Sequence, residues 1–293
     1  MISLQNVTKQ FGTLTAVNDM TLEIGAGQVF GFIGPNGAGK STTMKILACL
    51  LTPDRGVATV DGLDVRTEGQ RIRTMLGYMP DFLGVYDDLT VDEYLQFFAS
   101  AFRVERRRRR AVIDGVLELT DLTEKKRAMV NSLSRGMQQR LGIARVLIHE
   151  PRVLLLDEPA SGLDPRARIE MRSLLRTLGD MGKTLMISSH ILTELEEMCT
   201  MYGIIERGTL LFSGTIADAY AAADVGESML IRLEPDETTD PAHLAQRLAS
   251  DERVESSVVE QDAIRVRLAF GQTSQHFVIE TVLASGARVR SIR

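Results

Sequence analysis

A chain of 293 residues, 44% hydrophobic and 25% charged with 24 Gly and only 8 Pro, has a globular composition that excludes disordered, collagen-like and low-complexity proteins, and it exceeds one small module. Its 34 Lys and Arg against 39 Asp and Glu give a formal charge of −5, which lacks the footprint of a dedicated nucleic-acid binder. Cys49 and Cys199 have no metal-ligand spacing and suggest a reducing cytoplasm, and no stretch approaches the roughly 20 apolar residues that cross a bilayer, so work at a membrane requires another chain to span it.

In chain order, residues 1 to about 80 predict short strands at 2–4, 14–17 and 28–33, then a hairpin over 58–65 turning on Asp61 and Gly62. A long helical pattern follows a glycine loop at 34–39. From Thr90 to about Ile148 the period is helical. Thr90 and Glu93 form a capping box for a helix through Phe102, and another helix runs from about Glu105. This block, about 85–150, predicts a separate helical layer. Apolar runs at 153–156 and 184–188 then suit parallel strands buried on both faces.

The last segment changes rhythm. Strands are expected at 228–233, 254–259, 263–269 and 287–292, and helices at 241–250 and 273–285. Asp240 and Pro241 make a helix start and Gly286 a helix stop. The order strand, helix, strand, strand, helix, strand predicts a ferredoxin-like α+β accessory domain over 225–293, following a domain over 1–224.

The strongest chemical signal is Gly34-Pro35-Asn36-Gly37-Ala38-Gly39-Lys40-Ser41-Thr42, which matches G-x-x-x-x-G-K-[ST] directly after a predicted strand. Such a loop turns consecutive amides inward and, with the positive end of the following helix, surrounds a triphosphate. Lys40 places its charge between the terminal phosphates, Ser41 offers a hydroxyl to Mg²⁺, and Thr42 reaches an inner phosphate. The apolar run at 153–156 then delivers Asp157 and Glu158 to a strand end, where ligands bind in open α/β sheets. Adjacent strand residues face opposite ways, which separates two tasks. Asp157 holds Mg²⁺ through water, and Glu158 orients or deprotonates the attacking water.

With these motifs the sequence resembles the ATP-binding-cassette ATPases. The segment Ser132-Leu133-Ser134-Arg135-Gly136-Met137-Gln138 is similar to their LSGGQ signature, with Arg135 and Met137 replacing a Gly and a Gln. Ser134 is a helix N-cap candidate and Gly136 exposes backbone, which makes a second anion-binding helix end. The resemblance implies an α/β P-loop fold with an antiparallel β subdomain and a helical subdomain. It also implies ATP and Mg²⁺ as cofactors and a head-to-tail homodimer in which each copy covers the other's nucleotide. Phe11 takes the position of the adenine-stacking aromatic, His190 that of the switch histidine, and residues 161–164 that of the loop crossing the dimer interface. Asp81 stands where the family has a glutamine that senses the transporter, and joins Ser41 and Asp157 as a metal-side candidate with a shorter reach.

The resemblance implies the ATPase subunit of an exporter at the cytoplasmic face of the membrane, driving a separate integral membrane permease, with no nucleic-acid partner. The rival is a soluble ATPase of the same superfamily acting on nucleic acid or ribosomes. Such chains carry paired cassettes, long coiled coils or cysteine clusters, and this one has none of these. A nucleotide sensor without turnover conflicts with the presence of both Glu158 and His190. The five arginines Arg106, Arg107, Arg108, Arg109 and Arg110 are expected to form a solvated face or pair with acids.

Overall fold

A computed structural model of the chain describes residues 1–82, 84, 88–195, 198–218, 228–234, 240–260, 263–269, 276–285, 287 and 289–292. The chain divides into two compact units, Met1–Ile216 and Ala217–Arg293. The expected boundary at 224–225, the helix residues 273–275 and the helix stop at Gly286 lie outside the described residues.

In the first unit an antiparallel sheet of order β2-β1-β4-β5 joins β1 (Ile2–Phe11), β2 (Leu14–Ile24), β4 (Arg55–Val60) and β5 (Leu63–Asp64). The first two strands run well beyond the short segments that alternation predicts. Their ladder is broken by bulges near Val7 and Lys9, and Asn6 and Asp19 have left-handed backbones. Each bulge shifts side chains out of the two-residue period, so the apolar pattern fades although pairing continues.

The central sheet has the order β10-β9-β3-β8-β7-β6, from β3 (Val29–Ile33), β6 (Leu76–Met79), β7 (Val153–Leu156), β8 (Thr184–Ser189), β9 (Met201–Glu206) and β10 (Thr209–Gly214). Its strands are parallel except at the β9–β10 pair. Val153 and Leu155 enter one hydrophobic core with Phe30 and Phe32, whereas Leu154 and Leu156 enter the other with Leu185 and Ile187. Both faces of these runs are therefore buried, as a continuous apolar strand requires.

Helices α1 (Lys40–Leu47) and α2 (Gly69–Met75) serve the first core, with the antiparallel sheet. The second core takes α3 (Val91–Ala101), α4 (Arg106–Leu119), α5 (Arg135–Leu147) and α6 (Pro165–Asp180). Arg140, 8% exposed, ties this layer together by pairing with Asp121 at 2.9 Å and Glu170 at 3.5 Å.

The second unit has β11 (Ser228–Leu233), α7 (Pro241–Ala249), β12 (Val254–Glu260), β13 (Ala263–Leu268), α8 (His276–Ala284) and β14 (Val289–Ile292). Its sheet is antiparallel with the order β12-β13-β11-β14. Ile231, Ile264 and Val266 pack with Leu244, Leu248 and Val278 in a core of its own. Asp240 caps α7 by accepting the Ala242 N–H at 2.9 Å. Among the described residues no helix is long and apolar enough to cross a membrane.

Candidate functional site

The turn from β3 into α1 depends on glycine. Gly39, the N-cap residue of α1, has φ 109°, and a Cβ there would stand 2.3 Å from the Ala16 carbonyl oxygen. Only a residue without a side chain closes the loop. No side chain caps α1, so the first-turn N–H groups of Lys40, Ser41 and Thr42 have no intrahelical acceptor and leave a positive helix end. That end borders a cleft of about 290 Å³ lined by Phe11, residues 36–42, Asp81 and Glu158, among others. Phe11 is 46% exposed there, as a stacking platform must be.

Lys40 folds back beneath the loop. Its Nζ donates to the carbonyls of Gly34 at 2.5 Å and Pro35 at 3.2 Å, and lies 3.2 Å from Glu158 Oε1, both side chains being buried. The other oxygen, Glu158 Oε2, accepts from His190 Nδ1 at 2.8 Å, which requires a proton on that nitrogen. Glu158 thus lies between an ammonium and an imidazole, and one site holds all three expected catalytic groups.

Asp157 and Glu158 separate by a different device from the one expected. β7 ends at Leu156, and Glu158 takes a left-handed backbone with φ 50°, so a tight turn rather than strand pleating divides the acids. Such a conformation is uncommon outside glycine and is held here by its surroundings. The Ser188 hydroxyl fixes it by accepting the Glu158 N–H at 2.9 Å and donating to Asp157 Oδ1 at 2.7 Å. The role of Ser188 was not legible in the sequence, because strand pairing alone brings it to the acids.

Asp157 is 2% exposed and has no cationic partner among the described residues. A buried, uncompensated carboxylate fits a divalent cation. Among the described residues no group of three or more His, Cys, Asp or Glu is placed to hold a metal alone. Mg²⁺ needs no such cage, since it binds through one or two carboxylates with waters and phosphates. Asp81 borders the cleft, its carboxyl pushed up by burial and by the charges of Asp157 and Glu158, against the opposing pull of Arg135 and His190.

Ser134 caps α5, its Oγ accepting the Met137 N–H at 3.3 Å, whereas Gly136, expected to expose its backbone, is instead buried because the Ala167 side chain of α6 packs against it. Neither borders the cleft around Lys40. Arg135 lies against Gly162, where an added Cβ would stand 2.4 Å from the guanidinium carbon. The helix end and the loop at 161–164 are therefore in contact within one chain.

Residues 17–161 match the family described as ABC transporter. The Nod factor export ATP-binding protein I of Burkholderia lata is 37% identical over 238 residues, 81% of this chain and 78% of that protein. The probable multidrug ABC transporter ATP-binding protein YbhF of Escherichia coli is 35% identical over 83% of this chain, which spans 41% of that longer protein. Among solved structures, a dimeric ATP-binding cassette in a post-hydrolysis state with ADP and phosphate superposes with a TM-score of 0.67 at 26% identity, covering 74% of this chain and 99% of that one.

Proposed function

The chain belongs to the ATP-binding-cassette transporter family and is an ATP-hydrolysing, ATP-binding subunit of such a transporter, and from that premise we propose that it powers export through a separate membrane-spanning permease. The likeness to a Nod factor export ATP-binding protein supports the direction of transport. The subunit works at the cytoplasmic face of the membrane and pairs with a second copy when ATP is bound; a solved cassette that is dimeric with ADP and phosphate supports the pairing. The second unit takes the ferredoxin-like fold, a reading supported by its element order and the strand order β12-β13-β11-β14.

The observation that carries the mechanism is the position of Glu158 between Lys40 and His190. The amides of residues 34–42 and the α1 end receive the phosphates, and Phe11 stacks on the base. Terminal phosphate oxygens replace Glu158 beside the Lys40 ammonium, which releases the carboxylate toward the attacking water. Glu158 then takes a proton from that water, while the His190 Nδ1–H orients the carboxylate. Ser41 and Asp157 would hold Mg²⁺, with Asp81 a further candidate beside them, and the ion would supply neutralisation of the phosphate charge. Ser134 and Gly136 of one copy close over the nucleotide of the other.

Glu158→Gln should abolish turnover and retain ATP affinity, because only the water-activating carboxylate is lost. With Mg-ATP it should accumulate as a dimer, and a monomer by light scattering at saturating nucleotide would refute the two-copy arrangement. Lys40→Ala should instead weaken ATP binding, since it removes the charge on the terminal phosphates.

A further inference from the structure

Ser189 stands beside His190, and the mechanism leaves it without a task. Its hydroxyl donates to Glu194 Oε2 at 2.7 Å and accepts the Ile191 N–H at 3.0 Å. Its carbonyl accepts the Gly34 N–H at 3.3 Å. Ser189 is 2% exposed and the Glu194 side chain 11% exposed, so water competes little for these bonds. The second Glu194 oxygen, Oε1, lies 3.6 Å from Arg168 Nε. Arg168 sits in the first turn of α6, whose N-cap Asp164 ends the loop at 161–164.

His190 needs this support. It follows the last residue of β8 and precedes a short 3-10 turn at Leu192–Glu194, and its own side chain is 41% exposed. The imidazole has one described anchor, Glu158. Its backbone is held through Ser189, whose hydroxyl both donates to Glu194 and clamps the Ile191 amide. Without the carboxylate, that hydroxyl has no buried acceptor and is free to rotate from the clamp.

We propose that Glu194 is a positioning residue for hydrolysis: through Ser189 it fixes the backbone that presents His190 to Glu158, and through Arg168 it ties that placement to the helix carrying the loop at 161–164. The proposal deepens the reading that Glu158 and His190 carry the reaction, and rests on it. Glu194 does not line the cleft around Lys40. Its loss therefore affects the chemical step and leaves the phosphate loop intact.

The test compares full-length Glu194→Ala, Glu194→Gln, Ser189→Ala and Arg168→Ala with wild type, His190→Ala and Glu158→Gln. Steady-state ATP turnover is measured beside ATP affinity from displacement of a fluorescent nucleotide. A reacting group displaced by about 1 Å can lose 100-fold in rate, so Glu194→Ala and Ser189→Ala should lower kcat by about 10- to 100-fold with KM and affinity unchanged. Glu194→Gln should recover most of the loss, because its amide oxygen still accepts from Ser189. Arg168→Ala should fall between wild type and Glu194→Ala. Wild-type kcat in Glu194→Ala, equal defects in the Gln and Ala variants, or an affinity loss matching the kcat loss would each overturn the proposal. If Glu194→Ala does not fold, Ser189→Ala carries the same comparison by deleting one hydroxyl. Normal turnover in both His190→Ala and Glu158→Gln would instead overturn the catalytic reading, and the proposal with it.

Discussion

Asp81 and Glu158 border one cleft, and the Asp81 carboxyl is pushed up by burial and then by the charges of Asp157 and Glu158. A carboxyl raised in the folded state stabilises that state below its unfolded pKa. The contribution is lost as pH rises through the folded value, so ionised Asp81 opposes folding at neutral pH. Asp81→Asn keeps the shape and removes the charge. It should raise the thermal midpoint at pH 7, with the gain shrinking as pH falls into the range where the wild-type group is protonated. ATP affinity of the isolated subunit should be unchanged, because Asp is one carbon shorter than the glutamine the family places here, and an ionised carboxylate only accepts hydrogen bonds. Calorimetry over pH beside nucleotide titration decides the matter: a lower midpoint at pH 7 contradicts the charge argument, and a large loss of Mg-ATP affinity assigns Asp81 to the metal.

Helices with self-contained end signals were legible in the sequence, and their ends can be tested. Thr90 Oγ1 accepts the Glu93 N–H at 3.3 Å, and Glu93 Oε2 accepts from the Thr90 N–H at 2.8 Å and the hydroxyl at 2.7 Å. Thr90→Ala should cost about 1 kcal/mol of stability, read as a lower urea midpoint at constant slope. An unchanged midpoint would mean that packing of Tyr94 and Leu95 alone holds α3. The runs at 153–156 and 184–188 were legible for a similar reason, since burial on both faces makes a strand apolar throughout. The arginine run pairs with acids, Arg107 with Glu105 and Arg110 with Asp114 close in sequence, and Arg108 with the distant Glu150. What escaped depends on distant partners: the bulged lengths of β1 and β2, the Ser188 clip, and the clamp from Ser189 through Glu194 to Arg168. No periodicity encodes contacts that arise only when separate strands and helices meet.

At the scale of the whole chain, every residue assigned to nucleotide chemistry lies in the first unit, Met1–Ile216. The second unit has a separate core in which Met229, Ile231, Ile264 and Val266 of the sheet meet Leu244, Leu248, Phe277 and Val278 of α7 and α8. A unit with its own buried core can fold alone when few contacts tie it to its neighbour. Ending the protein at Ile216 should therefore leave a folded domain that binds ATP with unchanged affinity and retains basal turnover. The accessory unit would then act on dimerisation or on coupling to the permease, and its loss would appear in dimer formation by Glu158→Gln or in stimulation by the reconstituted membrane partner. Nucleotide titration and sedimentation of the truncated and full-length proteins separate these cases. An insoluble truncation, or one without ATP binding, would show that the second unit completes the first domain.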